Sequence, residues 1–474
     1  MLLRLILITH RYVAVAVGLL MALWCLSGFV MMYQGFPSFT PAERLASLAP
    51  LEMAGCCSTG FLPDDGEPLK SFRIEMLRGE PVLRQSGTLP IRLVSGTPIE
   101  PFSQRDLLQI AADYALRRGL ADATPEWLGE VAADQWSIQS ARANQPAQHL
   151  ALHDAADSEI YINGTTGEVF QDTNRRERVL AWFGAIPHWL YPTALRANGP
   201  LWSQVVIWTA TLGTFLTVTG LYVGIARLRR RRDGRLGSPF RGWWYWHHIL
   251  GLVFGALTLT WVFSGLMTMT PWGLLQTDGG AALRAQLRGS ATTGELRRFL
   301  ETAPAQLAGR GFVQLQGEAA GGKLQVIARR ADGSTLRLDA DGLLDPLQAG
   351  TVQQWLAALG SEVASFERLD APDTYYYGRS ASLELPVYRV ILADAEHTRL
   401  YISPTTGAVR VVDGAIRQSR WLISAMHNLE LPGLGSRPLW DIVTLLLLAG
   451  VTAVTITGSW MALKRIRADL TPRA

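Results

Sequence analysis

The sequence predicts a membrane protein: a four-helix transmembrane bundle made from two parallel tandem repeats, each with an α+β domain outside the membrane. Three observations predict it. Tyr12–Tyr33, Trp202–Ala226, Ile249–Pro271 and Ile442–Leu463 carry no charge, and each is long enough, at about 20 residues, to cross a bilayer as a helix. Charged residues are only 18% of the chain, against roughly 25% in soluble domains. The chain is also written twice: "HRYVAVAVGLLMALWCLSG" from His10 returns as "HHILGLVFGALTLTWVFSG" from His247, and "YINGTTGEV" at Tyr161 as "YISPTTGAV" at Tyr401.

In chain order the expected elements begin with a first transmembrane helix over 1–33. Its apolar stretch is too long for a secretory signal, and no small-residue cleavage pattern follows "FVMMYQGF", so it is expected to be retained. An outer domain over 34–200 follows, with an amphipathic helix in "RDLLQIAADYALRRGL" and a hairpin in "SEIYINGTTGEVF". The second span is 201–226 and a basic cytoplasmic loop is 227–245. The third span is 246–271, and a second outer domain fills 272–439, with strands in "GKLQVIARRADGSTLRLDADG" and a hairpin in "TRLYISPTTGAVRVV". The fourth span is 440–463, followed by a tail over 464–474. "GPLW" at Gly199 returns as "RPLW" at Arg437, and "TVTG" at Thr217 as "TITG" at Thr455. Each half thus runs span, outer domain, approach, span, which implies repeats related by a pseudo-two-fold axis along the membrane normal.

Arginine sets the expected orientation. "ARLRRRRDGRLGSPFRG" holds seven arginines and one aspartate, "LKRIRADLTPR" closes the chain, and Arg4 and Arg11 precede the first run. By the positive-inside rule both termini and this loop are cytoplasmic. The outer domains then face the periplasm of a bacterial inner membrane. The net charge of +4 is therefore topological, and no spacing suggests nucleic-acid binding. Cys25 falls in the first span as filler. Cys56 and Cys57 are adjacent in an outer loop, where two small buried side chains are expected and a vicinal disulfide or a bridge to another chain stays open.

Of eight histidines, His149, His153 and His397 fall in the outer domains without ligand spacing and read as solvated surface. The other five sit where the membrane ends. His10, His247 and His248 mark the cytoplasmic edge, and His188 and His427 lie just ahead of the tryptophans that open the second and fourth spans. Interfacial histidine can simply anchor a helix. Two repeat-matched pairs on opposite faces point instead to ligands. A bare transition metal would recruit Cys, Asp or Glu beside His, and the spans contain no acidic residue. Haem needs only axial ligands. His10 with His247, and His188 with His427, are the expected pairs, with His248 replacing or supporting His247. Ala14, Gly18, Gly251 and Gly255, on the histidines' own faces, could clear a flat ring or serve ordinary helix packing. No Ser/His/Asp or phosphate-loop constellation appears, so no catalytic residue is assigned.

These residues resemble the PepSY-associated transmembrane family, which includes iron-regulated inner-membrane proteins and ferric-siderophore reductases of the FoxB type. The resemblance covers nearly the whole chain. It rests on the histidine heading each repeat, the Y-I-x-x-T-T-G turns and T-x-T-G before an arginine cluster. It implies PepSY-like outer domains, two b-type haems on four histidines, and passage of electrons to ferric iron held by a periplasmic siderophore. No G-x-G-x-x-G opens a helix, so the expected donor is another molecule, a cytosolic flavoprotein or a membrane quinol. "DTYYYGRS" at Asp373 could dock a chelate or form an aromatic strand face. The competing expectation is a membrane-tethered regulatory module without a redox cofactor. A transporter is disfavoured because the spans lack ionisable residues for ion coupling.

Overall fold

The computed structural model describes residues 1–230, 234–360, 362–378 and 383–470, and the chain folds as two units. Met1–Phe36, Glu177–Gln276 and Ala415–Ala474 form a helix unit, and Pro37–Arg176 with Thr277–Gly414 form a sheet unit. Part of the basic loop (Arg231 to Asp233) and the last four residues of the tail lie outside the described residues.

Each uncharged run lies in one long helix: Leu2–Met31, Gly199–Ala226, Trp243–Met267 and Leu439–Leu470. All four are long and apolar enough to cross a membrane. The first starts well before its uncharged run and the fourth continues past Lys464, because Arg, Lys, Leu and Ala all propagate a helix and no Pro or Gly intervenes. The four pack as a ring: the first and third helices each contact both the second and the fourth. Leu19, Leu23, Leu212, Phe215, Val253 and Leu446 are exposed on the outside of the unit, as lipid-facing positions are. Inside, Val17, Met21 and Leu216 pack with Trp24 and Val262, joining three helices. Many hydroxyls in these helices bond back to their own backbone, as Thr217 does to the Gly213 carbonyl at 2.8 Å, which satisfies them in an apolar surrounding. The buried Thr444, Thr452 and Ser459 hydroxyls and the Trp24 and Trp261 indole N–H groups have no partner among the described residues.

The sheet unit is built from both insertions together. Its seven-stranded antiparallel sheet joins Phe72–Leu77, Glu80–Gln85 and Ile91–Arg92 to Phe312–Ala320, Lys323–Arg330, Thr335–Leu338 and Leu343–Leu344. The sequence suggests a separate domain for each half. The structure instead pairs Phe72–Leu77 directly with Phe312–Ala320, Ile74 opposite Leu315, so each strand covers an apolar edge the other would expose. Helix Thr293–Leu307 buries Leu296, Phe299, Leu300 and Ala303 against Phe72, Ile74, Leu315 and Val326.

Two four-stranded antiparallel sheets flank it, Glu126–Val131 through Val169–Thr173 and Val363–Leu369 through Val409–Val412. The expected amphipathic helix is Gln104–Arg117, capped by Ser103 with Asp106, and it buries Leu107, Ile110 and Ala111 against Leu150, Ile160 and Ile162. Both T-T-G hairpins form. Gly167 and Gly407 sit at φ +67 and +70, a backbone region that glycine enters without a Cβ clash. Cys56 and Cys57 form a vicinal disulfide packed against the main core. Of the states the sequence left open, the structure takes the vicinal bridge and not the two unlinked side chains expected.

A buried charge network ties the first half of the sheet unit together. Glu75 is buried, with Arg44 at 2.7 Å and Arg84 at 3.3 Å; Glu168 meets Arg44 and Arg73, each at 2.8 Å. Burial alone would raise the Glu168 carboxyl. The Arg73 hydrogen bond and the Arg44 and Arg73 charges outweigh it and hold it at about 2. A carboxylate depressed in the folded state stabilises fully above its unfolded value, near 4.5, and the gain fades as pH falls toward 2. Glu168→Gln is accordingly expected to cost on the order of 3 kcal/mol at pH 7. Its difference from wild type should shrink as pH drops below about 4.5, as read from urea unfolding at a series of pH values. An equal difference at pH 7 and pH 2.5 would contradict the network.

Candidate functional site: two histidine pairs

The five membrane-edge histidines all fall in the helix unit. His10 and His247 lie near the starts of the first and third helices, turned toward the second and fourth. His10 Nδ1 lies 3.1 Å from the Leu216 carbonyl and 3.3 Å from Thr219 Oγ1. In the second half, His247 Nδ1 lies 3.3 Å from the Val454 carbonyl and 3.1 Å from Thr457 Oγ1. The glycine after each threonine admits the ring. A Cβ on Gly220 would stand 2.7 Å from His10 Cε1, and one on Gly458 3.0 Å from His247 Cε1. The T-x-T-G motif is therefore a seat for an imidazole: the threonine and a carbonyl grip one nitrogen, and the glycine makes room for the ring.

His188 and His427 sit in the segments that lead into the second and fourth helices. His188 is in the short helix Ala185–Trp189, and His427 follows the π turn Arg420–Ala425. His188 Nδ1 lies 3.1 Å from both the Trp24 carbonyl and Ser27 Oγ. His427 Nδ1 lies 3.2 Å from both the Trp261 carbonyl and Ser264 Oγ. Tryptophan also pins each segment from the other side. Trp202 Nε1 donates to the Trp189 carbonyl at 2.9 Å, and Trp440 Nε1 to the Asn428 carbonyl at 2.9 Å, in each case the residue after the histidine.

A carbonyl oxygen can only accept, so all four Nδ1 atoms carry the proton and all four Nε2 atoms are left with a lone pair. None of these Nε2 atoms has a hydrogen-bond partner among the described residues. The rings of His188 and His427 lie with centroids 6.2 Å apart and their planes tilted by 59°. Burial and the neighbouring His427 push the His188 imidazole down to about 4, against the Trp24 hydrogen bond. Burial also lowers His427, again against a backbone hydrogen bond. Both rings are therefore neutral near pH 7. From His10 to Ser27 the first helix rises about 25 Å, so the two pairs lie at opposite ends of the bundle.

His248 is different. Its Nε2 lies 2.8 Å from the Gly224 carbonyl and its Nδ1 2.8 Å from Ser238 Oγ. Both nitrogens are occupied and the ring is buried. Of the two adjacent histidines, only His247 keeps a nitrogen to offer.

The structure also corrects several expectations. Of the two uses left open for the glycines, Gly18 and Gly255 take helix contact, facing Ser459 and Leu221, while Gly251 meets nothing within 4 Å. Ala14 packs beside Val17 and Met21. The glycines beside the rings are Gly220 and Gly458, on the helices opposite, whose motifs the sequence displayed only as repeat landmarks. His149 is half-buried, stacked on Tyr161 and 2.9 Å from Glu159, so it is not solvated surface. His153, on Glu126 at 2.6 Å, and His397 are exposed. The described part of "DTYYYGRS" is not a strand: Asp373 accepts from Tyr401 and Arg389, and Tyr376 is buried against Tyr401. Arg379 and Ser380 lie outside the described residues. No cluster of three or more His, Cys, Asp or Glu suited to a metal ion occurs among the described residues.

The sequence matches the family described as PepSY-associated TM region over residues 7–465. The chain belongs to that family. The matched span takes in all four histidine seats of this family member, from His10 to Gly458. No curated protein matches the chain.

Gly220→Ala is expected to overpack the His10 seat and cost about 1–3 kcal/mol, seen as a lowered thermal midpoint in detergent. Gly251→Ala is expected to leave the midpoint unchanged or raise it, since its Cβ enters open space. Equal behaviour of the two variants would mean that the His10 ring does not occupy the place described.

Proposed function

We propose that this protein is a bacterial inner-membrane electron-transfer protein that holds two b-type haems and reduces ferric iron presented by a siderophore in the periplasm. The observation that carries the reading is the 6.2 Å between the His188 and His427 ring centres. The two imidazoles are thus near enough to be held by one haem iron, and each keeps a bare Nε2 with which it would bind it. At that distance the rings do not bond to each other.

The residues fit the group in other respects. Each Nδ1–H is tied to a backbone carbonyl, the outer hydrogen bond that orients metal-bound histidine and strengthens its free nitrogen as a ligand. His188 with His427 would hold one haem, His10 with His247 the other, and His248 would support the inner site through Ser238 and Gly224. The matched seats favour two tandem repeats about a pseudo-two-fold axis along the membrane normal. When bound, haem supplies reversible one-electron storage. The chain's own part is to hold each imidazole in one tautomer, fix its direction and exclude lipid and water. Siderophores grip Fe(III) with hard oxygens, and Fe(II) is a poorer match. One electron therefore loosens the chelate.

Arginine placement supports cytoplasmic termini and a periplasmic sheet unit. The Cys56–Cys57 bridge agrees with an oxidising compartment. Electrons would enter from a cytosolic flavoprotein or a membrane quinol.

The test is spectroscopic. Purified protein is expected to show a Soret band with α and β bands that sharpen on dithionite. His188→Ala and His427→Ala should each remove about half of that absorbance, and His10→Ala or His247→Ala the other half. His248→Ala should retain both haems. Dithionite-reduced protein, freed of excess reductant, is expected to reoxidise when a ferric trihydroxamate is added without oxygen. Colourless protein would sink the haem reading and leave the regulatory module; haem that stays reduced beside the chelate would sink the substrate.

A further inference from the structure

The sheet unit contains two clefts at matching places in the two halves of the chain. The first, about 250 Å³, lies between Arg44, the Gln104–Arg117 helix and Gly167, Glu168 and Val169 of the T-T-G hairpin. The second, about 370 Å³, lies between the helix Ala281–Arg288, Trp355 and Gly407, Ala408 and Val409 of the other T-T-G hairpin.

The first cleft carries its own anion. The Glu168 carboxylate takes Arg44 Nε at 3.1 Å and Nη2 at 2.8 Å, and Arg73 Nη1 at 2.8 Å and Nη2 at 2.9 Å. In the second hairpin, Y-I-S-P-T-T-G-A-V against Y-I-N-G-T-T-G-E-V, the matching residue is Ala408. The carboxylate has gone, yet guanidinium groups remain. Arg284, Arg288 and Arg410 all line the second cleft. Its one acid, Glu318, pairs with Arg288 at 3.2 Å. Arg284 donates to the Gly279 carbonyl, and Arg410 lies over the Tyr376 ring at 5.7 Å. Neither Arg284 nor Arg410 makes an ion pair among the described residues, and the carboxylate that acts on Arg284 from a distance, Asp278, is not among the residues that line the cleft. Leu287 and Val409 add an apolar wall, and Trp355 a flat one.

We infer that the second cleft is a binding site for a small organic di- or tricarboxylate, one carboxylate of which takes the place that Glu168 fills in the first cleft. Planar guanidinium forks suit carboxylate oxygens bidentately. With no ion pair on Arg284 or Arg410, the cleft has guanidinium capacity for more than one carboxylate. The cavity suits a compact acid and is too small for a folded partner. This site stands on the sheet unit alone and is independent of the haem reading.

The experiment uses the full chain in nanodiscs, with citrate as the probe in isothermal titration. Saturable binding is expected, weakening as salt rises. Arg284→Ala and Arg410→Ala should each weaken it about tenfold or more. Ala408→Glu should abolish it, because the cleft then carries its own carboxylate, while the thermal midpoint stays level or rises. Ferric citrate run beside citrate separates the sources: equal affinity assigns the free acid, tighter binding of the ferric complex assigns a chelate. The inference is overturned by an absence of saturable binding, by phosphate binding as tightly as citrate, or by an Ala408→Glu variant that is folded and binds citrate as wild type does.

Discussion

The hydrogen bond from imidazole Nδ1–H to a backbone carbonyl is the constraint on which the rest of this molecule turns. It occurs four times, to Leu216, Val454, Trp24 and Trp261, each time with a hydroxyl beside it. In an apolar surrounding such a bond cannot be exchanged for one to water, so it fixes both the tautomer and the direction of the ring. Four lone pairs are thereby left on Nε2 at two levels of one bundle. The other features of the helix unit follow from keeping those rings where they are: glycines where a ring meets a neighbouring helix, and indole N–H groups pinning the segments that carry His188 and His427.

The two units solve different burial problems. In the helix unit polar groups are few and most are matched locally, a threonine to its own turn or a histidine to a carbonyl on the next helix. Apolar side chains are left on the outside, where lipid is an adequate solvent. The sheet unit follows aqueous rules. Its apolar strand edges close on each other through Phe72–Leu77 and Phe312–Ala320, and its buried Glu75 and half-buried Glu168 are held by arginines from three elements. A buried carboxylate with two or three guanidinium partners is a strong commitment, because loss of any one partner leaves an uncompensated charge.

Much of this was legible in the sequence, and the reasons are specific. The absence of charge over some 20 residues marks a membrane helix whatever its packing, so the four spans could be read directly. Period-two patterning with a glycine turn gave the hairpins at Tyr161 and Tyr401. The histidine pairs stood out because they recurred. The seats were harder to read: Thr219-Gly220 and Thr457-Gly458 lie some 200 residues from the rings they receive, and a single sequence carries no record of which helix faces which. The sheet shared between the two halves was hidden for the same reason, since strand pairing over 240 residues leaves no local mark. In "DTYYYGRS" a tyrosine that looks available for a ligand serves the fold instead: Tyr376 is buried, its hydroxyl donates to the Glu384 carbonyl and its backbone N–H to Asp373. His149 likewise serves the fold, its ring lying flat on Tyr161 across a strand pair.

The central claim is that four imidazoles, paired across the two halves, present their bare nitrogens to two irons. The most direct measurement is the haem content of the purified chain by pyridine haemochrome against quantitative amino-acid analysis. Two haem b per chain is the result this account predicts. A full-length, folded preparation that carries none, even after expression with added haem precursor, would contradict it.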